Sequence, residues 1–308
     1  MVPTHVVVAV DLSDNSMPAA RAAAWLCREL KLAAALTYSI EPETVYGVVE
    51  NAPDGARVDL AAWAEERLDR LRDSLFSGVE AEPRIVEGAV AASEAICDVV
   101  ETFGAQLVVM GTHGRTALEH AVFGSTATSV VRHAPCDVLT VRPPPLREEG
   151  LDVKLRNWVL THSSNGGIRR ILCPLDFSPG SDNALKRAAG LALRFDAELV
   201  LHHAVQYPFW AAREELSLSA ERARASAKER LADATDRTRG IGLTVESHVT
   251  DGQSSTDILR LADERDVDLI VMGTHGRTGL KRWAVGSVTE RTVRISHIPV
   301  WTVRLPPG

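Results

Sequence analysis

Short apolar runs alternate with longer amphipathic stretches along this chain, and the whole alternation occurs twice. Residues 5–10 (HVVVAV) and 169–175 (RRILCPL) are typical of buried strands. Each is followed by a stretch with apolar residues at helical spacing, such as residues 17–30. Each half holds five predicted strands and four predicted helices, which include strands at residues 33–40, 84–87 and 198–205 and helices at residues 58–76 and 181–195. Because strands that alternate with helices form parallel sheets with right-handed crossovers, the sequence predicts an α/β fold. We expect two doubly wound five-stranded parallel sheets with helices on both faces.

The domain boundaries follow from breaks in this alternation. Three prolines, Pro143, Pro144 and Pro145, end the first half, and the polar stretch SSNGG ends at Gly167, just before the pattern restarts. The 308 residues are enough for two domains of about 150 residues each. We therefore predict domains at residues 1–145 and 168–308, joined by a linker at residues 146–167.

Composition narrows the function classes. The net charge of −7 argues against a general nucleic-acid or anionic-membrane partner, because such proteins usually carry a basic stripe. No basic segment precedes the first apolar run, and no run of about 18 apolar residues occurs. The four cysteines form neither CxxC nor a zinc spacing. We expect a cytoplasmic protein with neither a nucleic-acid nor a membrane partner.

A glycine-containing stretch near the end of each half is repeated almost verbatim. Residues 107–125 read LVVMGTHGRTALEHAVFGS, and residues 269–287 read LIVMGTHGRTGLKRWAVGS. Both carry G-x2-G-x9-G-S, at Gly111, Gly114, Gly124 and Ser125 and at Gly273, Gly276, Gly286 and Ser287. A strand, a glycine-rich loop and a helix N-terminus can together bind an anion, since glycine permits close backbone approach and the first helical turn has unpaired N–H groups. The alternative is that these glycines only shape a turn.

Two aspartates end the first strand of each half. Asp11 and Asp176 share the context D-[LF]-S and precede a predicted helix. In doubly wound folds, ligands bind at the carboxyl ends of strands where the strand order reverses. Either carboxylate could accept a hydrogen bond from a ribose hydroxyl or an adenine amino group, or hold a metal. The alternative is a helix cap or Asx turn.

Polar residues within the glycine stretch allow two interpretations each. The serine that ends each stretch begins a predicted helix, and Ser287 to Glu290 matches a capping box. His113 and His275 are predicted to pack in the loop or contact a phosphate. Arg115 and Arg277 are candidate phosphate partners or solvated side chains.

Enzyme motifs are missing from the sequence. It contains no G-x4-G-K-[ST], no GxSxG and no GxGxxG after a first strand. No nucleophile–base pair stands out. The sequence therefore favours a binding protein over an enzyme.

These residues resemble the universal stress protein family, in two tandem copies that cover nearly the whole chain. Both copies match the G-x2-G-x9-G-[ST] motif of its ATP-binding subgroup. The resemblance implies a Rossmann-like fold of the adenine nucleotide alpha hydrolase type, with strand order 3-2-1-4-5. It also implies ATP or another adenine nucleotide in each half, with Mg²⁺ or Mn²⁺ held only through the phosphates.

The resemblance assigns roles by position. Asp11 and Asp176 would contact the adenosine, and backbone just past the second strand, near Ser39 and Ala204, would read the adenine edge. Ribose and phosphates would be held by Gly111, Gly114, Gly124, Ser125 and Thr126 in the first half and by Gly273, Gly276, Gly286, Ser287 and Val288 in the second.

Partners and activity follow as expectations. The last strands, residues 138–142 and 300–304, would be edge strands that pair with each other within the chain, and a homodimer is possible. The implied role is in stress response or signalling. The alternative is a slow ATPase or nucleotidyl-transfer enzyme of the same fold group. An adenylate-forming enzyme would carry an SGGxDS-type loop, where this chain has DLSDNS and DFSPGS.

Overall fold

The computed structural model describes residues 3–41, 59–88, 91–112, 124–142, 167–206, 217–274 and 285–305. The chain divides into two compact units, residues 3–163 and residues 164–308 with the first two residues. The predicted linker lies outside the described residues except for Gly167.

The first unit is a parallel sheet with the order β3-β2-β1-β4-β5. Its strands are β1 (His5–Ala9), β2 (Ala33–Ile40), β3 (Ala81–Glu87), β4 (Leu107–Gly111) and β5 (Asp137–Val141). Its described helices are α1 (Met17–Leu30), α2 (Leu60–Leu75), α3 (Ala92–Phe103) and α4 (Ser125–His133). Helix α1 contacts α2, and α3 contacts α4. This pairing places two helices on each face, as right-handed crossovers in this strand order require.

The second unit repeats the arrangement with the order β8-β7-β6-β9-β10. Its strands are β6 (Arg170–Pro174), β7 (Glu198–Val205), β8 (Val245–Asp251), β9 (Leu269–Gly273) and β10 (Val300–Val303). Its described helices are α5 (Pro179–Phe195), α6 (Ser217–Arg239), α7 (Ser254–Glu264) and α8 (Ser287–Ile295). The predicted fold class and strand order are confirmed in both units.

The core is built from strands that are buried on both faces. Val6, Val7 and Val8 of β1 are fully buried, which explains why the central strands read as continuous apolar runs rather than as alternating ones. Alanines dominate the buried face of α1. Small side chains let this helix approach the sheet closely.

Three predicted boundaries shift for identifiable reasons. Strand β3 begins at Ala81, before Pro83, although we predicted a start at residue 84. Proline is tolerated there because β3 is the edge strand of its unit. Helix α2 begins at Leu60 because the Asp59 side chain accepts from the Ala62 N–H at 3.0 Å. Helix α5 begins two residues earlier than predicted, with Pro179 in its first turn.

In each unit the last strand stands at one end of the strand order. The pairing of residues 138–142 with residues 300–304 stays a prediction. Among the described helices, none is both long and apolar enough to cross a membrane.

Candidate functional site

The first element of the candidate site is the turn that follows β1. The Asp11 Oδ1 accepts from the Ser13 N–H at 3.0 Å and from the Ser13 hydroxyl at 2.7 Å. Ser16 N–H then donates to the Ser13 carbonyl at 3.1 Å, in a short helical turn before α1. The Asx turn given as the alternative for Asp11 is therefore present. It occupies one carboxylate oxygen and does not test contact with a ligand.

The second unit builds the same turn with a stronger helix cap. Asp176 Oδ1 accepts from the Ser178 N–H at 3.0 Å. The Ser178 hydroxyl accepts from the Ser181 N–H at 3.2 Å, so Ser178 is the N-cap of α5. Both aspartates are half-buried.

Both turns contain a residue with an unusual backbone conformation. Leu12 and Phe177, each directly after the aspartate, have φ of 61°. Bulky residues rarely adopt positive φ, and such a conformation costs roughly 1–3 kcal/mol unless surrounding contacts enforce it. Its recurrence at the same place in both units indicates that the aspartate turn is a built feature.

The second element is the start of the helix after the glycine loop. In the first unit, the Thr112 N–H donates to the Val141 carbonyl at 3.2 Å, and the Gly124 N–H donates to the Thr112 carbonyl at 2.9 Å. In the second unit, the Gly286 N–H donates to the Thr274 carbonyl at 2.8 Å. The residue after each fourth strand is thus bonded directly to the residue before each last helix.

Glycine is the N-cap residue of both helices. Gly124 and Gly286 have φ of −60° and −62°, both with ψ of 142°, and neither helix has a side-chain cap hydrogen bond. Ser287 is the first helical residue, so the predicted capping box with Ser287 as the cap is wrong. The reason is tertiary: the bond to Thr274 fixes Gly286 in the extended conformation that an N-cap adopts.

The serines and their neighbours consequently lie within the first helical turn. Ser125 and Thr126 are its first two residues in α4, and Ser287 and Val288 are the first two in α8. N–H groups at these positions have no carbonyl one turn earlier to bind. Together with the helix dipole they favour an anion.

The end of β9 is shaped by packing. A Cβ atom on Gly273 would lie 2.7 Å from the Gly180 carbonyl oxygen in the first turn of α5. Thr289, which sequence reasoning missed, donates its hydroxyl to the Gly273 carbonyl at 2.8 Å. The first unit has Ala127 at the corresponding position of α4. In the first unit, Gly111 likewise ends its strand, opposite Val141.

Ser39 and Ala204 lie within their strands rather than just past them. Each is the penultimate residue of its strand and pairs outward, Ser39 with Val86 and Ala204 with Thr250. Pairing inward ends two residues earlier, at Thr37 and at His202. Ser39 and Ala204 therefore lie beyond the last residue of the second strand that pairs with the central strand of the same unit.

Strand register brings these pieces to one edge within each unit. Ala9 pairs with Met110, so Asp11 and Thr112 follow neighbouring strand ends. In the second unit, Leu172 pairs with Ile270, so Asp176 and Thr274 likewise follow neighbouring strand ends.

Six of the predicted site residues lie outside the described residues: His113, Gly114, Arg115, His275, Gly276 and Arg277. Within the described residues, no group of three or more His, Cys, Asp or Glu side chains could hold a metal ion.

Two adjacent residues of β7, His202 and His203, are buried histidines. His202 is 1% exposed, and its Nε2 lies 2.9 Å from the Thr250 hydroxyl. Burial lowers the pKa of His202 from 6.5 to about 3, and the neighbouring charges of His203, His248 and Arg260 add to the effect. It is therefore a neutral core residue near pH 7.

The sequence profile of the universal stress protein family matches residues 3–142 and 167–304 of this chain. The chain belongs to the universal stress protein family. The profile matches twice, so this is a tandem universal stress protein with one family domain in each half.

Individual relatives agree with the tandem organisation. A universal stress protein of Mycobacterium tuberculosis is 25% identical over 313 residues, which cover 97% of this chain and 96% of the relative. A universal stress protein of Methanocaldococcus jannaschii is 34% identical over 141 residues, 45% of this chain and 83% of the relative. The crystal structure of a universal stress protein from Archaeoglobus fulgidus shares the fold, with a TM-score of 0.67, 19% identity, and coverage of 97% of this chain and 96% of that one.

Proposed function

We propose that each half of this universal stress protein binds an adenine nucleotide, ATP in the first instance. One observation carries the proposal. The helix after each glycine loop has a glycine N-cap, which is hydrogen-bonded to the residue after the fourth strand, and this strand end neighbours the aspartate turn of the first strand. The Gly124-to-Thr112 and Gly286-to-Thr274 hydrogen bonds fix this arrangement in both units.

The two sides of the site suit the two ends of a nucleotide. The first turns of α4 and α8 offer N–H groups and a positive partial charge, which favour phosphates. Asp11 and Asp176 place a carboxylate, which accepts hydrogen bonds, at the strand edge where the ribose hydroxyls would lie. Mg²⁺ or Mn²⁺ would be held through the phosphates.

We further propose a role in stress response or signalling, in which nucleotide occupancy rather than turnover is the output. The slow ATPase or nucleotidyl-transfer alternative needs a group that activates a nucleophile, and no described residue of the site is assigned that role. The binding proposal and the enzymatic alternative predict the same complex but a different fate for the nucleotide.

Calorimetric titration with Mg-ATP tests the binding proposal. Replacing both Gly114 and Gly276 by leucine adds side chains where backbone should approach phosphate, and affinity should be lost. Gly190→Ala in α5 is the control, because a Cβ there meets nothing within 4 Å. Unchanged binding by a folded double variant would contradict the site assignment.

Measuring the phosphate released from the wild-type complex with ATP distinguishes a binding protein from a slow ATPase. Bound ATP that stays intact over many hours supports a binding protein. Steady release that is lost in the double variant would favour the enzyme.

A further inference from the structure

The residue before Asp176 is held through both of its backbone groups by β7. The Leu175 N–H donates to the His202 carbonyl at 2.7 Å. The Leu175 carbonyl lies 2.6 Å from Nδ1 of His203, which is 7% exposed. Because a carbonyl can only accept, His203 carries a proton on Nδ1. The strand therefore fixes the chain as it enters the aspartate turn.

The residue after Asp176 is held by its ring. The Phe177 ring centroid lies 4.5 Å from that of His203, with the two planes inclined at 33°. The guanidinium carbon of Arg230, on α6, lies 4.2 Å from the Phe177 centroid, and its Nη2 lies 3.5 Å from the Phe177 carbonyl oxygen. A cation–π contact and a ring contact thus stabilise a phenylalanine whose φ is positive.

We propose that His203 and Phe177 are positioning residues of the second nucleotide site. His203 contacts both chain neighbours of Asp176, one through its N–H and one through its ring. Together these contacts hold the carboxylate at the strand edge before a ligand arrives. This inference rests on the proposed nucleotide binding and adds what makes the second site different from the first.

The first unit shares the backbone part of this support, since the Val10 N–H donates to the Thr37 carbonyl at 3.0 Å, but its side chains at the turn differ. Leu12 adopts the same φ as Phe177, but an aliphatic side chain offers no ring face for a guanidinium. Tyr38 occupies the position in β2 that His203 occupies in β7, and its ring lies 6.2 Å from that of Trp63 on α2. This contact joins β2 to α2, whereas the contact of His203 with Phe177 joins β7 to the aspartate turn.

A turn that is ordered beforehand binds more tightly, because less conformational freedom is lost on association. The second site should therefore retain an advantage that does not depend on ionic strength. Arg230 also joins α6 to this turn.

The test uses the full chain with the first site blocked by Gly114→Leu, and Mg-ATP as the titrant in a calorimeter. His203→Ala removes both contacts and should weaken binding by about tenfold, which corresponds to about 1.4 kcal/mol, because the turn is then no longer ordered beforehand. His203→Asn keeps a donor and His203→Phe keeps a ring, so each should restore part of the affinity. Phe177→Leu introduces the residue of the first unit and should weaken binding by about three- to tenfold.

His202→Thr is the matched control, because it changes the adjacent residue of β7 to the Thr37 of the first unit. Successive strand residues face opposite sides of the sheet, so this variant should leave affinity within twofold. A second control measures the first site in the Gly276→Leu background, where His203→Ala should have no effect.

Each result has one interpretation. Unchanged affinity in Phe177→Leu and His203→Ala would overturn the positioning role while leaving nucleotide binding intact. An equal loss in His202→Thr, or an equal loss at the first site, would also overturn it, because general destabilisation would then explain the effect. If the Gly114→Leu parent binds no ATP, the proposed function itself fails at this site. If His203→Ala does not fold by circular dichroism, Phe177→Leu, His203→Asn and His203→Phe decide.

Discussion

Gly273 passes so close to Gly180 that a Cβ atom on Gly273 would lie 2.7 Å from the Gly180 carbonyl oxygen and 2.8 Å from its carbonyl carbon. Both partners are backbone, so neither can move aside as a flexible side chain would. The first glycine of the repeated motif in the second half therefore serves helix packing at the mouth of the site.

Gly273→Ala should destabilise the second unit. Overpacking of this kind typically costs about 1–3 kcal/mol, because β9 and α5 must separate. Chemical unfolding measures the loss. Gly190→Ala, further along α5, is the matched variant, and it should stabilise the protein by roughly 0.5–1 kcal/mol because alanine favours a helix interior. Equal stability of the two variants would refute this packing argument.

His202 should make stability depend on pH. Its pKa falls from 6.5 to about 3 on folding, chiefly through burial. Between those values the unfolded chain binds a proton that the folded chain does not, so stability falls as pH falls below 6.5. The slope for one such group reaches about 1.4 kcal/mol per pH unit.

The check is unfolding by urea at pH 7 and pH 5. The loss of stability between the two should be smaller in His202→Thr than in wild type, by about 1–2 kcal/mol. An identical loss in both proteins would show that His202 is not responsible.

The glycine loops should make the two sites unequal at low salt. Between Gly276 and Gly286 the sequence carries Arg277, Lys281 and Arg282, a formal charge of +3. Between Gly114 and Gly124, Arg115 and Glu119 cancel. Exposed pairs contribute only up to about 1 kcal/mol each and are screened by salt, but two or three give roughly tenfold in affinity.

Titration of each site with the other blocked, at low and high salt, measures this effect. The second half should bind ATP more tightly, and the gap should narrow as salt rises. Any gap that persists at high salt is what the Phe177 and His203 contacts should supply. Tighter binding by the first half at low salt would show that the charge argument is wrong.

The hydrogen bonds that Asp268 accepts at the start of β6 should stabilise the second unit mainly through the position of the acceptor oxygen rather than through its charge. Asp268 Oδ2 accepts from the N–H groups of Arg169 and Arg170 at 2.8 and 2.9 Å. Gln106 accepts in the same way from Thr4 and His5 in the first unit, at 2.8 and 3.1 Å. A neutral amide oxygen thus serves the same purpose there.

Asp268→Ala should therefore destabilise the protein by about 1–2 kcal/mol, as expected for lost hydrogen bonds to a charged acceptor. Asp268→Asn keeps a carbonyl oxygen and should recover most of the loss in thermal unfolding. An asparagine variant as unstable as the alanine variant would show that charge, not geometry, dominates.

Much of the fold could be predicted because burial dominates its pattern. The predicted bounds of α1, β2 and β7 agree with the structure, since α1 is an uninterrupted stretch with helical spacing and β2 and β7 are largely apolar runs. Strand β3 was predicted to begin at residue 84, but it begins at Ala81 and includes Pro83. A proline is tolerated in an edge strand, and the edge position is known only once the strand order is known.

The sequence indicated where the candidate site lies, but not the hydrogen bonds that hold its residues in position. The positions of Asp11, Asp176 and the glycine loops at strand ends follow from the parallel topology. The capping role of Gly286 depends on a bond to Thr274, and the contact of His203 with Leu175 depends on strand register. Local patterns contain no information about such pairings, so S-x-x-E at Ser287 indicated a cap that the tertiary structure assigns to the preceding glycine.

The hydrogen bond from Gly124 to Thr112, like that from Gly286 to Thr274, joins the two ends of a glycine loop. Because this bond holds the two ends of the loop together, residues within the loop can change while the strand and the helix keep their positions. After a duplication, each copy could then diverge in the ligand it recognises without disturbing a shared core. The differing charges of the two loops in this chain are of the kind that such independent drift produces.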